Sequence, residues 1–181
     1  MPNYQTVEEK KLVRLAQQSD VEATAELYHR HAPAIFRYFY FRVSEQATAE
    51  DLTGDVFLEM VKALPRYQDQ GVPFAAWLFR IAHDQMVDHY RRAANRRTED
   101  LSDGLLDDRP GPEIVAEARA ETGRLHEAIG FLTNEQQLVV QLRFIEGYSL
   151  EETARLMEKT TGAIKAMQHR ALNRLARRLK W

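Results

Sequence analysis

The sequence predicts an all-α fold in two small helical domains, and three observations carry the prediction. Apolar residues recur three and four positions apart in nearly every segment, the spacing of a single helix face. No alternating run long enough to read as a strand interrupts them. An acidic stretch containing Gly104, Pro110, Gly111 and Pro112 divides the chain. The domains are therefore drawn at 1–98 and 121–181, with a flexible linker at 99–120.

Taken in order, Ser19-Asp-Val-Glu22 reads as a capping box for the first long helix. Ala23, Leu27, Ile35, Phe39 and Val43 then hold helical period, with Pro33 marking a kink or a fresh start. Thr48 reads as the next N-cap, and Leu52, Val56, Met60 and Ala63 form one apolar face up to Pro65. Gly71 and Pro73 make residues 66–73 a loop. A helix from about Phe74 to Arg97 follows, apolar at Trp77, Leu78, Ile81, Met86 and Val87. In the second domain Leu125, Ile129 and Leu132 open a helical unit, and Thr133-Asn-Glu-Gln136 caps a helix carrying Leu138, Leu142 and Ile145. Gly147 ends that helix, and Ser149-Leu-Glu-Glu152 caps the next. The last helix runs from near Thr160 to the C-terminus.

Composition narrows the partners. With 44% hydrophobic and 29% charged residues the chain has material for packed cores. No apolar run approaches a membrane span, and the N-terminus lacks a signal-peptide segment, so the expected location is the cytoplasm. The absence of cysteine excludes disulfides, cysteine-zinc sites and thiol nucleophiles. Net charge is −2 but unevenly spread. Residues 99–124 hold 3 basic and 8 acidic side chains, whereas residues 125–181 hold 9 basic and 6 acidic. An acidic connector beside a basic end points to two domains with different partners.

Three constellations carry the chemistry. The last helix packs Ile164, Met167, Ala171, Leu172, Leu175 and Leu179 inward and turns Gly162, Ala166, His169, Arg170, Asn173 and Arg177 outward. Small residues admit a backbone to a groove, polar ones read base edges, and arginines neutralise phosphates. Coming after a capped helix and a short joint, it forms a helix-turn-helix that presents one helix to DNA. Secondly, Asp51, Asp55 and Glu59 make an acidic stripe whose like charges disfavour an isolated helix; a basic partner surface or plain solvation explains it equally well. Thirdly, Phe74, Trp77, Phe79 and Tyr90 interleave with Arg80, Arg91, Arg92, Arg96 and Arg97, a mixture suited to single-stranded nucleic acid. Periodicity also assigns most of these rings to the core. His83, Asp84, Asp88 and His89 do not make a metal site, because His83 and His89 stand about 240° apart around the helix. No cofactor is called for.

The three occur in this order in the extracytoplasmic-function group of bacterial RNA polymerase sigma factors. Residues 24–98 resemble sigma domain two and residues 121–178 resemble sigma domain four, through DLTGDVF at 51–57, AWLFRIAHDQMVDHYRR at 76–92 and the stretch 144–172. The resemblance implies a non-enzymatic specificity subunit that binds core RNA polymerase and recognises −35 and −10 promoter elements. Asp51, Asp55, Phe57 and Glu59 would then dock on the clamp helices of the polymerase largest subunit. Trp77, Arg80, Asp84, Asp88, His89, Arg91 and Arg92, with the loop 66–73, would capture and melt the −10 element. Thr160, Thr161, Lys165, Ala166, His169, Arg170 and Arg174 would read the −35 element. An anti-sigma factor is a further implied partner. Five positions depart from the family pattern: Asp84 replaces a common asparagine, Glu158 a frequent turn glycine, Ala166-Met167 a frequent Ser-Arg pair, and Val61 a frequent tryptophan. Two other readings remain: a homodimeric DNA-binding regulator, and a sigma mimic that binds only proteins.

Overall fold

The structure, a computed structural model, describes residues 4–99 and 123–179 apart from 44, 70 and 126. Beyond Glu99, the expected linker lies outside the described residues. After a 3-10 turn at Tyr4–Thr6 come α1 (Glu9–Gln17), α2 (Val21–Val43) and α3 (Gln46–Ala63). A second 3-10 turn, Leu64–Arg66, leads to α4 (Phe74–Glu99). The C-terminal half holds helical residues 127–130, α5 (Asn134–Val140), a π-turn (Gln141–Ile145), α6 (Leu150–Leu156) and α7 (Thr161–Leu179). No strand occurs among the described residues.

Helix α2 runs through Pro33 as one helix, although proline removes a backbone donor. Leu27, Ile35, Tyr38 and Phe39 are essentially fully buried along it. At roughly 1.5–3 kcal/mol for each large apolar side chain, that burial outweighs the ~3 kcal/mol cost of the proline. The α1–α2 corner differs from the sequence reading. Asp20, and not Ser19, caps α2: its Oδ1 accepts from Ala23 N–H at 2.9 Å and its Oδ2 from the Tyr4 hydroxyl at 2.7 Å. These two donors, the backbone one foremost, hold the Asp20 carboxyl below its ordinary pKa. Ser19 instead takes the left-handed conformation at φ 66°. Its N–H reaches Ala16 O and that of Asp20 reaches Leu15 O, closing α1. Helix α3 begins at Gln46, ahead of the expected cap, and the Thr48 hydroxyl donates to the Glu45 carboxylate.

Both capping boxes of the C-terminal half form as the sequence indicates. Thr133 Oγ1 accepts from Gln136 N–H at 3.3 Å and Ser149 Oγ from Glu152 N–H at 3.1 Å, with each return bond present. Gly147, at φ 75°, ends the preceding helix. The widened turn before it was not legible: Glu146 N–H reaches Gln141 O at 2.9 Å, a spacing of five residues.

That turn docks the C-terminal half onto α2. The Glu146 carboxylate receives Arg37 Nε at 3.0 Å and Nη2 at 2.6 Å. Gln141 donates to Ala34 O at 3.2 Å and accepts from Arg42 Nη1 at 3.0 Å. The half-buried Arg42 lies with its guanidinium carbon 3.6 Å from the Tyr38 ring centroid. Leu142 and Leu156 join the same buried cluster as Leu27, Phe39 and Leu78. A second, smaller cluster joins Ala128, Ile129 and Leu132 to Ala171 and Leu175.

Ser19→Gly is expected to raise stability by about 0.5–1 kcal/mol, because glycine takes positive φ without a Cβ clash; urea unfolding measures it. Glu146→Ala is expected to cost about 1–2 kcal/mol and to expand the molecule by small-angle scattering. An unchanged radius of gyration would show that the pair does not hold the halves together.

Candidate nucleic-acid interface

Helix α7 buries Ile164, Met167, Ala171 and Leu175. Leu172, expected inward, is 40% exposed, because it lies about 80° round the helix from Ile164 and falls off the packed stripe. The outward face is as the sequence reading has it: Thr161, Gly162, Lys165, Ala166, His169, Arg170 and Asn173 are all exposed. Thr160 caps the helix, its Oγ1 accepting from Ala163 N–H at 3.2 Å. A Cβ on Gly162 would meet only Thr160 Oγ1 at 4.0 Å, so the fold does not require this glycine and its smallness serves the open face. His169 and Asn173, one turn apart, lie within hydrogen-bond distance of each other. Arg174 donates to Gln136 Oε1 at 3.1 Å, which ties it to α5. Lys165 and Arg170 make no ion pair among the described residues.

The joint between α6 and α7 turns on Glu158 at φ 52°. Glu158 N–H reaches Arg155 O at 3.2 Å and Lys159 N–H reaches Ala154 O at 2.9 Å. This is a glycine-type helix ending made with a side chain present.

On α3, Asp51, Asp55 and Glu59 are exposed, with Glu59 3.8 Å from Lys62. Phe57, grouped with them from the sequence, is only 6% exposed and packs edge-on against Tyr28 at 4.7 Å. It is a core residue here, because α3 turns it toward α2. The apolar side chains that do accompany the stripe are Leu58 and Val61, at 61% and 51% exposure.

On α4, Phe74 and Phe79 are core, while Trp77 is half-buried against Tyr67 at 4.7 Å. Arg80, Asp84, Asp88, Arg91 and Arg92 are exposed and His89 is half-buried. Asp88 engages Arg91 at 3.0 Å, and its carbonyl accepts from Arg92 Nε at 3.3 Å. Trp77, Arg80 and His83 face a cavity of about 400 Å3 whose far wall is Leu156, Met157 and Lys159. Arg80 bridges it to Glu158 Oε1 at 3.3 Å. The Trp77–Arg80 end of α4 therefore faces the helix-turn-helix joint, a juxtaposition across the whole chain that no local pattern encodes. No spacing in the sequence places His83 and Lys159 on one cavity. Among the described residues no helix is long and apolar enough to cross a membrane.

Two family models match separate stretches of the chain. A model described as sigma-70 region 2 matches residues 27–96, and one described as sigma-70, region 4 matches residues 128–177. The extracytoplasmic-function RNA polymerase sigma factor BldN of Streptomyces coelicolor is 38% identical across 93% of this chain, which spans 65% of that protein's length. SigD of Mycobacterium tuberculosis, of the same description, is 36% identical, covering 86% of this chain and 76% of its own. The solved structure of CnrH in complex with the cytosolic domain of CnrY aligns with a TM-score of 0.72 at 25% identity, over 95% of this chain and 97% of that one.

Arg170→Ala is expected to weaken DNA binding and to lower the slope of log affinity against log salt by about 1. Arg174→Ala should change the slope less, since its guanidinium is held by Gln136. Equal slopes for wild type and Arg170→Ala in a salt titration would remove Arg170 from the phosphate contacts. Glu158→Gly is expected to stabilise the joint by about 1 kcal/mol in thermal or urea unfolding, as the left-handed conformation becomes free of strain.

Proposed function

The chain belongs to the extracytoplasmic-function sigma factors of the sigma-70 family, and from that premise we propose that it binds core RNA polymerase and directs promoter-specific initiation. Residues 1–98 act as domain two and residues 121–181 as domain four. Bond-forming chemistry stays with the polymerase, and the work is done in the cytoplasm.

One observation supports this reading above the others: the outward face of α7 is open, small at its N-terminal end and cationic beyond, on a helix packed firmly from behind. In a major groove, Lys165, Ala166 and His169 would meet base edges while Arg170 meets phosphate. Domain two would contribute the remaining contacts. The acidic stripe Asp51, Asp55 and Glu59, flanked by exposed Leu58 and Val61, suits a basic and partly apolar surface such as the polymerase clamp helices. Trp77, with Arg80, Arg91 and Arg92, suits a melted −10 strand, where bases stack on a ring and cations follow the backbone. The acidic Asp84 would favour a cytosine amino donor. With the helix-turn-helix joint across the cavity from Trp77 and His83 and tied to Arg80, the docked arrangement narrows the Trp77 end of this last face, and movement of domain four would open it to a strand. A protein partner that grips both domains, as CnrY accompanies CnrH in the solved complex, would act on that step.

In vitro transcription with purified core polymerase tests the proposal. Promoter-dependent transcripts are the expected result; a chain that binds a palindromic operator by itself and starts no transcript would be a homodimeric regulator instead. Reversing Asp51 and Asp55 to lysine is expected to reduce core-polymerase affinity at least tenfold, with the circular dichroism spectrum unchanged. Retained affinity would mean that the stripe is merely solvated.

A further inference from the structure

The region 2 match begins at residue 27, leaving α1 without an assigned role. Yet α1 holds the segment that follows α3. Gln17 Nε2 donates to two carbonyls, Leu64 O at 3.1 Å and Tyr67 O at 2.8 Å, and so spans the 3-10 turn from both sides. One turn pair further back, Lys10 Nζ lies 3.1 Å from Asp69 Oδ2, while Asp69 Oδ1 accepts from Gly71 N–H at 2.9 Å. The braced backbone carries the Tyr67 ring, which packs on Trp77 and Phe74. Beneath the segment lies a cavity of about 430 Å3, bordered by Val13, Arg14, Val72 and Phe74. The segment has apolar anchors at its ends, Leu64 and Phe74, and in Tyr67 and Val72; over the cavity its backbone is held from the α1 side by the polar tethers. Helix α1 is itself well anchored, by buried Leu12, Val13 and Ala16 and by Glu9 on His31 at 2.9 Å.

We infer that α1 is a brace for the −10 capture loop and that Gln17 is its positioning residue. It acts by fixing Tyr67, and through it Trp77, in the place where an unpaired base would stack. This rests on the −10 reading of α4 and the loop given above.

The test uses full-length chain assembled with core polymerase. Gln17→Glu keeps the size of the side chain but turns a carboxylate toward two carbonyls. It is expected to slow promoter opening, followed by a fluorescent base analogue in the −10 element, about tenfold. Affinity for core polymerase and for a −35 duplex should stay within twofold, a split that a general loss of stability does not produce. Lys10→Glu, at an exposed position, gives a check independent of folding: a two- to threefold slowing, restored by adding Asp69→Lys. Unchanged opening in both variants, with wild-type holoenzyme binding a single-stranded −10 oligonucleotide, overturns the brace alone. Wild-type holoenzyme that fails to bind that oligonucleotide overturns the −10 reading, and the brace with it.

Discussion

The pairing of Glu146 with Arg37 is the constraint on which the arrangement of the two halves depends. The Glu146 side chain is only 8% exposed, and a carboxylate so placed is costly unless paired and hydrogen-bonded. Arg37 supplies two bonds in the fork geometry of its guanidinium, and that pairing raises the arginine pKa above its usual value. Gln141, at the other end of the π-turn, is locked by Ala34 and Arg42. Both residues reach α2 because the turn is widened by one residue. A regular α-helical turn would rotate Glu146 by about 100° relative to Gln141. The polar seam thus sets the register in which Leu142 and Leu156 enter the N-terminal core.

With that register fixed, the three candidate faces are not equivalent. The outward side of α7 and the stripe on α3 remain open in the docked state, whereas the Trp77 side of α4 lies against the helix-turn-helix joint. On the proposed reading, the faces assigned to a −35 duplex and to the polymerase are open, while the Trp77 end of the face assigned to the −10 element is not. The same joint is strained at Glu158, whose carboxylate also reaches Arg80. A glycine would relax the backbone but remove that link, so backbone comfort and interdomain contact compete at one residue.

Much of this was legible in the sequence because it is local. The boxes at Thr133 and Ser149, the stop at Gly147 and the open face of α7 each depend on residues within a few positions of one another. Errors arose where two local signals competed. Ser19 reads as the cap from its spacing to Glu22, but the left-handed turn closing α1 takes Ser19 and leaves the role to Asp20. Phe57 stood in an acidic stretch, but only packing against Tyr28 shows which way α3 faces. Leu172 kept helical spacing yet fell outside the stripe that α5 covers.

Composition, periodicity and motif order alone determined that this chain is helical, divided in two, and carries a last helix with a polar and cationic outer face. These properties rest on interactions between residues close along the chain. Tertiary structure alone decided that the halves dock through Arg37 and Glu146, that Arg80 of α4 meets Glu158 of the joint, and that α1 tethers Tyr67 and Asp69. Each of those joins residues tens of positions apart, where the contact energy depends on which faces meet and no spacing rule applies.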